Sequence, residues 1–142
     1  MSNAMSARSP RSVEVRVAAQ LENLAVVRTV IGALATFEDL DLDAVADLRL
    51  AVDEACTRVM KATTPDSVLV VLVDPRPGEL VVDVCAASDL DAEEVLAHGS
   101  FSWHVLTSLT DDVQVFNDGI ELGGAGPVVG ISLTSRRASS AR

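Results

Sequence analysis

Along Leu48 to Lys61, LRLAVDEACTRVMK, a carboxylate and a guanidinium twice stand one helical turn apart: Glu54 with Arg58, and Arg49 with Asp53. On a helix this spacing sets the two side chains next to each other, and an exposed pair of that kind contributes roughly 0.3 to 0.5 kcal/mol. Ser100 and Ser102 precede a short stretch of helical periodicity. Hydroxyls at a helix start either cap its own amides or leave those amides and the helix dipole to an anion such as a phosphate. Gly123-Gly124-Ala125-Gly126 is as glycine-rich as a phosphate loop, but it lacks the Lys-Ser/Thr that completes a Walker motif and reads as a loose hairpin. Cys56 and Cys85 have no CxxC spacing, and His98 and His104 are the only histidines that could join them at a metal. The thiols are therefore expected to be reduced and structural, with no metal site. Trp103 suits the apolar face of a helix and His104 has no evident Cys/His companion, so neither is assigned a catalytic role.

These groups need elements to hold them. Val13, Val15 and Val17 alternate with Glu14, Arg16 and Ala18, a period of two that predicts a half-buried strand. From Leu21 to Phe37, the apolar residues Leu24, Val27, Ile31, Leu34 and Ala35 recur at steps of three or four and predict a helix. Asp39, Asp41 and Asp43 are cap candidates for a second helix, with Val45, Leu48, Val52, Ala55, Cys56 and Val59 on its inner face, running to about Ala62. Two apolar runs follow, Val68 to Val73 and Leu80 to Ala86, separated by Asp74-Pro75-Arg76-Pro77-Gly78, and they read as a hairpin. The first run does not alternate, so that strand is either central and covered on both faces or part of a partner-binding surface. Acidic residues from Asp89 to Glu94 mark a loop or short helix, and Trp103, Leu106 and Leu109 line the next helix. Val113 to Phe116 and Val128 to Leu133 close the chain as strands, joined by a glycine-rich hairpin over Gly119 to Gly126. The result is a two-layer α/β sandwich whose helices cover one face of a mixed, largely antiparallel sheet.

Composition narrows the function. Apolar residues make up 49% of the 142-residue chain but aromatics only 3%, so Val, Leu, Ile and Ala must fill the core. The longest apolar run falls far short of the roughly 20 residues a membrane span needs, and no signal-peptide segment is evident, so a cytoplasmic protein is expected. Residues 1–12 read as an expression remnant followed by a disordered arm, 13–137 as one domain, and 138–142 as a disordered tail. The net charge is -10, with basic residues gathered near the ends at Arg8, Arg11, Arg136, Arg137 and Arg142. Such an acidic body repels nucleic acid and suits a basic protein partner.

With these elements in order, the stretch VAAQLENLAVVRTVIGALATFEDLDLDAVADLRLAVDEACTR and the later GSFSWHVLTSLTDDVQVF resemble the anti-sigma and serine-kinase branch of the GHKL ATPases, the RsbW and SpoIIAB family. The resemblance extends from Val13 to Arg137. It implies a Bergerat-type fold, an alternative sigma factor as the partner held away from RNA polymerase, release by STAS-type anti-anti-sigma antagonists, and homodimerisation. It also implies a nucleotide site for ATP and Mg²⁺, whose pattern this chain departs from. In kinase-competent members the helix carries Glu-x-x-x-Asn, the Glu serving the attacking group and the Asn the metal; here Glu54 remains but Arg58 replaces Asn, and an Arg cannot ligate a cation. The family's adenine-reading Asp-x-Gly corresponds to Ala86 and Ser88, with Asp89 as a substitute only if the loop differs. Its Gly-x-Gly corresponds to Ser100-Phe101-Ser102. The leading expectation is sequestration of a sigma factor. The alternative is an ATP-dependent serine kinase that phosphorylates its STAS antagonist with Glu54 as base, and a third possibility is nucleotide binding without turnover.

Overall fold

A computed structural model gives the structure of the chain and describes residues 9–117 and 126–137. Strand β1 (Val13–Ala18) leads through a single 3-10 turn, Leu21–Asn23, into helix α1 (Leu24–Phe37) and then α2 (Leu42–Met60). The hairpin of β2 (Val68–Arg76) and β3 (Glu79–Ala87) follows, then the short α3 (Ala92–Val95), α4 (Phe101–Leu109), β4 (Asp112–Phe116) and β5 (Val128–Arg136). The strands form one sheet in the order β1-β2-β3-β5-β4. All four pairings are antiparallel, which corrects the expected mixed sheet. The hairpin expected over Gly119 to Gly126 falls mostly on residues outside those described.

The period-two and helical patterns meet in one core. Leu69, Val71 and Val73 of β2, Val82 and Val84 of β3, and Ile131 and Leu133 of β5 turn the same way, onto Val27 and Ile31 of α1 and Leu48, Val52, Ala55 and Val59 of α2. Fully burying a Leu or Ile of this kind contributes roughly 1.5–3 kcal/mol. β2 has a strand on each side, and its residues from Leu69 to Pro75 are buried. Of the two readings left open for its unalternating run, the central position is the one found.

Local chemistry sets the element ends. Of the three candidate aspartates, Asp41 is the cap of α2, accepting from the Ala44 amide at 2.8 Å, and Asp43 lies in the first turn of the helix. Asp39 instead ends α1 in the left-handed region, with φ +68, a position that usually falls to Gly or Asn. α2 stops at Met60, short of the expected Ala62. The β2–β3 connection is tighter than the expected five-residue turn: Asp74, Pro75 and Arg76 pair with Val81, Leu80 and Glu79, leaving Pro77 and Gly78 as the loop. Pro75 is tolerated there because β1 reaches only to Val73, so no ladder bond requires its missing N–H. Gly78 supplies the positive φ the turn requires, at +78. The acidic stretch around Asp91 becomes α3, closed by a capping box between Asp91 and Glu94.

Candidate functional site

The second half of α2, the far end of β3 and the start of α4 converge at one pole of the sheet, and every position singled out from the sequence as nucleotide-binding lies there. Glu54 and Arg58 share a face of α2, with Arg58 Nε 3.5 Å from Glu54 Oε2, so the expected helical ion pair forms. The other expected pair does not. Asp53 instead turns to α1 and meets Arg28, at 2.9 Å from its Nη2, while the Arg49 side chain lies along Gly32, whose missing Cβ leaves room for it. Pairing across two helices replaces pairing along one because the helices pack closely enough at Gly32 to bring α1 within reach.

The start of α4 closes onto Glu54. Ser102, nearly buried, donates its hydroxyl to Glu54 Oε2 at 2.6 Å. Ser100 acts as the N-cap, accepting from the Trp103 amide at 3.1 Å. Of the two readings open for these hydroxyls, capping is therefore realised at Ser100, whereas Ser102 forms a bridge from α4 to α2 that spacing could not foretell. The sequence contained no signal for it beyond a small polar residue on a helix that is otherwise apolar on its inner face.

At the end of β3, Ala86 is fully buried in the core and pairs with Val129 of β5. Ser88 has its hydroxyl committed: it donates to the Ala62 carbonyl at 2.7 Å and accepts from the Leu90 amide at 3.1 Å. Its own amide donates to the Pro127 carbonyl at 3.0 Å. Ser88 thus ties the end of α2 to the end of β3. Beside it lies an open cleft of about 350 Å³ lined by residues that include Thr63, Thr64, Ser67 and Asp89. Asp89 reaches this cleft, but no described contact places it where Ala86 stands.

This donor set does not suit Mg²⁺-ATP. At the position that the resemblance assigns to the metal ligand stands Arg58, whose guanidinium has no lone pair to give a cation. At the position that the resemblance assigns to adenine reading stands Ala86, a methyl group buried in the core. The buried Arg58 Nε makes no hydrogen bond among the described residues, and the Glu54 carboxylate, 3.5 Å away, is the anion it faces.

Trp103 packs partly buried against the core, as expected, and its ring lies against that of His98, tilted by 40° with centroids 4.0 Å apart. His98 in turn contacts the Glu93 carboxylate. His104 is exposed. Both cysteines are buried free thiols; burial is the main cause that pushes each up to about 12, with Asp53 beside Cys56 and Asp83 beside Cys85 adding to it. At neutral pH they remain protonated and inert.

Comparison with known proteins places this geometry. Residues 17–123 match the family described as histidine kinase-like ATPase domain. The anti-sigma-F factor RsbW of Mycobacterium tuberculosis, in strains H37Rv and CDC 1551, is 60% identical over 135 residues, covering 95% of this chain and 79% of its own length. A solved structure of the RsbU and RsbW domains of another M. tuberculosis protein superposes with a TM-score of 0.67 at 17% identity over 94% of this chain, a likeness of fold. The chain spans about a third of that protein's length, 34%. No helix of the described residues is long and apolar enough to cross a membrane.

Proposed function

The chain belongs to the histidine kinase-like ATPase domain family, in the group of the anti-sigma-F factor RsbW, and from that premise we propose that it is a cytoplasmic anti-sigma factor. In this reading it binds an alternative sigma factor as a homodimer, keeps it from RNA polymerase, and yields it to a STAS-type anti-anti-sigma antagonist. The observation that carries a sequestering role over a catalytic one is the bond from Ser102 to Glu54. It commits the one retained catalytic-type carboxylate to holding α4 against α2, next to an Arg where metal-assisted phosphoryl transfer would need a ligand. ATP would have to displace Ser102 and find its adenine contact without a carboxylate at position 86, where Ala86 stands. Glu54, Arg58, Ser88, Ser100 and Ser102 then serve as braces of the fold.

Charge supports the partner class. With a net charge of -10, the protein steers a basic surface such as the DNA-binding face of a sigma factor toward it, and apolar contacts then limit dissociation. The test pairs purified protein with candidate alternative sigma factors in calorimetry and in a transcription assay. A saturable complex that inhibits transcription, and whose association slows as salt rises, is the expected result. Absence of a complex with every candidate, or phosphate transfer from Mg²⁺-ATP to a STAS antagonist that is lost in Glu54→Ala, would replace sequestration with the kinase reading.

A further inference from the structure

The opposite pole of the sheet carries a second constellation. β3 has nine residues, so at about 3.3 Å per residue its start at Glu79 lies roughly 27 Å from the Ala86 and Ser88 pole. Here the approach to β1, the β2–β3 turn and the residue after β5 enclose an open cleft of about 560 Å³, walled by Pro10, Pro75 and Pro77 and by Arg11, Arg76 and Arg137. Three arginines lining one cleft are conspicuous in so acidic a chain.

Their partners account for only part of this charge. Arg137 is spent on the fold: Nε donates to the Glu38 carbonyl at 2.8 Å, Nη1 to the Arg76 carbonyl at 3.1 Å, and Nη2 to Glu38 Oε1 at 3.1 Å. Arg76 gives Nε to Asp74 Oδ2 at 3.0 Å, and Arg11 gives one Nη2 donor to Glu38. The remaining N–H groups of Arg11 and Arg76 have no protein acceptor among the described residues. Glu38 and Asp74 are both buried, and Glu79, opposite Arg76 in the ladder, is matched by Arg136 at 3.8 Å, so the three guanidinium groups of the cleft face two carboxylates and one positive charge is left over. A guanidinium fork matches a carboxylate bidentately, and one carboxylate restores neutrality where a dianion would overshoot. The three prolines offer pyrrolidine rings without N–H groups, hence apolar lining beside the charge.

The geometry points to a docking site for an acidic peptide segment of a protein partner, an Asp or Glu flanked by apolar side chains, held by Arg11 and Arg76 beside the prolines. This surface is distinct in sign from the acidic body that attracts a basic partner, so one molecule presents separate poles to partners of opposite charge.

The probe is acetyl-Leu-Glu-Leu-amide, titrated into the full chain while the Nε–Hε resonances of Arg11 and Arg76 are followed by NMR. Its Leu-Gln-Leu counterpart and inorganic phosphate serve as controls. Saturable shifts with the Glu peptide are expected, with affinity reduced at least about tenfold for the Gln peptide and in Arg76→Gln. Because Arg76→Gln deprives buried Asp74 of its guanidinium and can unsettle the fold, Arg11→Gln is measured beside it. Arg11 is well exposed, with 61% of its side chain accessible, and the same loss of affinity is expected there with a native spectrum. Equal response to the Glu and Gln peptides, equal or stronger response to phosphate, or unchanged affinity in Arg11→Gln would overturn the assignment.

Discussion

Ser102→Ala is the substitution that most directly measures what holds the start of α4 against α2. The bond it removes is 2.6 Å long, from a nearly buried hydroxyl to a carboxylate. Hydrogen bonds to charged groups contribute roughly 1.5–3 kcal/mol when sheltered. The Glu54 side chain is 29% exposed, so solvent screening lowers the expectation to about 1–2 kcal/mol. In a domain of this size that corresponds to a fall in Tm of roughly 3–8 °C. A single variant would mix the bond with the small void it leaves, so the assay is a double-mutant cycle in urea across wild type, Ser102→Ala, Glu54→Ala and the pair. The coupling energy should be about 1–2 kcal/mol, because the Arg58 contact to Glu54 and the lost side-chain volume cancel in the cycle. A coupling below about 0.3 kcal/mol would refute the reasoning: α4 would then rest on α2 through Leu106 and its apolar neighbours alone.

Three further outcomes are expected. Asp39→Gly should raise stability by about 0.5–1 kcal/mol in urea, since Gly carries no Cβ penalty at φ +68; a loss would show that the Asp39 carboxylate rather than its backbone secures the turn. Gly130→Ala should cost about 1–2 kcal/mol, because its Cβ would fall 2.2 Å from Phe116 Cζ, and most of that cost should vanish in a Phe116→Ala background; persistence there would place the strain in the backbone. For Cys56 and Cys85, both raised to about 12, the unfolded thiols ionise first. Their contribution is therefore whole below pH about 8.5 and is lost on the way to 12, by about 1.4 kcal/mol per pH unit for each thiol. The alkaline fall in urea midpoint should be correspondingly shallower in the Cys56→Ala/Cys85→Ala variant, and an equal slope would show that other groups govern it.

Much of this architecture was legible because its causes are local. Alternation at Val13, Val15 and Val17, the steps from Val27 to Ala35, and the inner face of α2 each identify an element within a window of a few residues. Cap chemistry was legible in kind but not in assignment: three aspartates of equal propensity stand around the start of α2, and the choice among left-handed terminator, cap and first-turn residue depends on where α1 happens to end. The relation of β5 to β3 rests on pairings such as Ala86 with Val129, which leave no periodic trace in the chain. For the same reason the contacts within one helix, Glu54 with Arg58 and the Ser100 cap, were legible, while those between elements were not. Ser102 and Glu54 are 48 residues apart, and the Arg28 to Asp53 pair depends on how closely α1 approaches α2, a packing outcome that displaced the locally favoured Arg49 partner.

The Glu38 carboxylate receives Arg11, two residues before β1, and Arg137, one residue after β5. The folded body is thus entered and left through the same doorway, with a single buried side chain as the hinge post. A short linker could join the two sides into a ring without crossing the sheet, and the exposed turn from Ala97 to Gly99 offers a place to cut new ends. The same closeness makes the domain a ready cassette for insertion into a surface loop of a host protein. Tension applied to such a host would reach Glu38 and its two arginines before it reached the core.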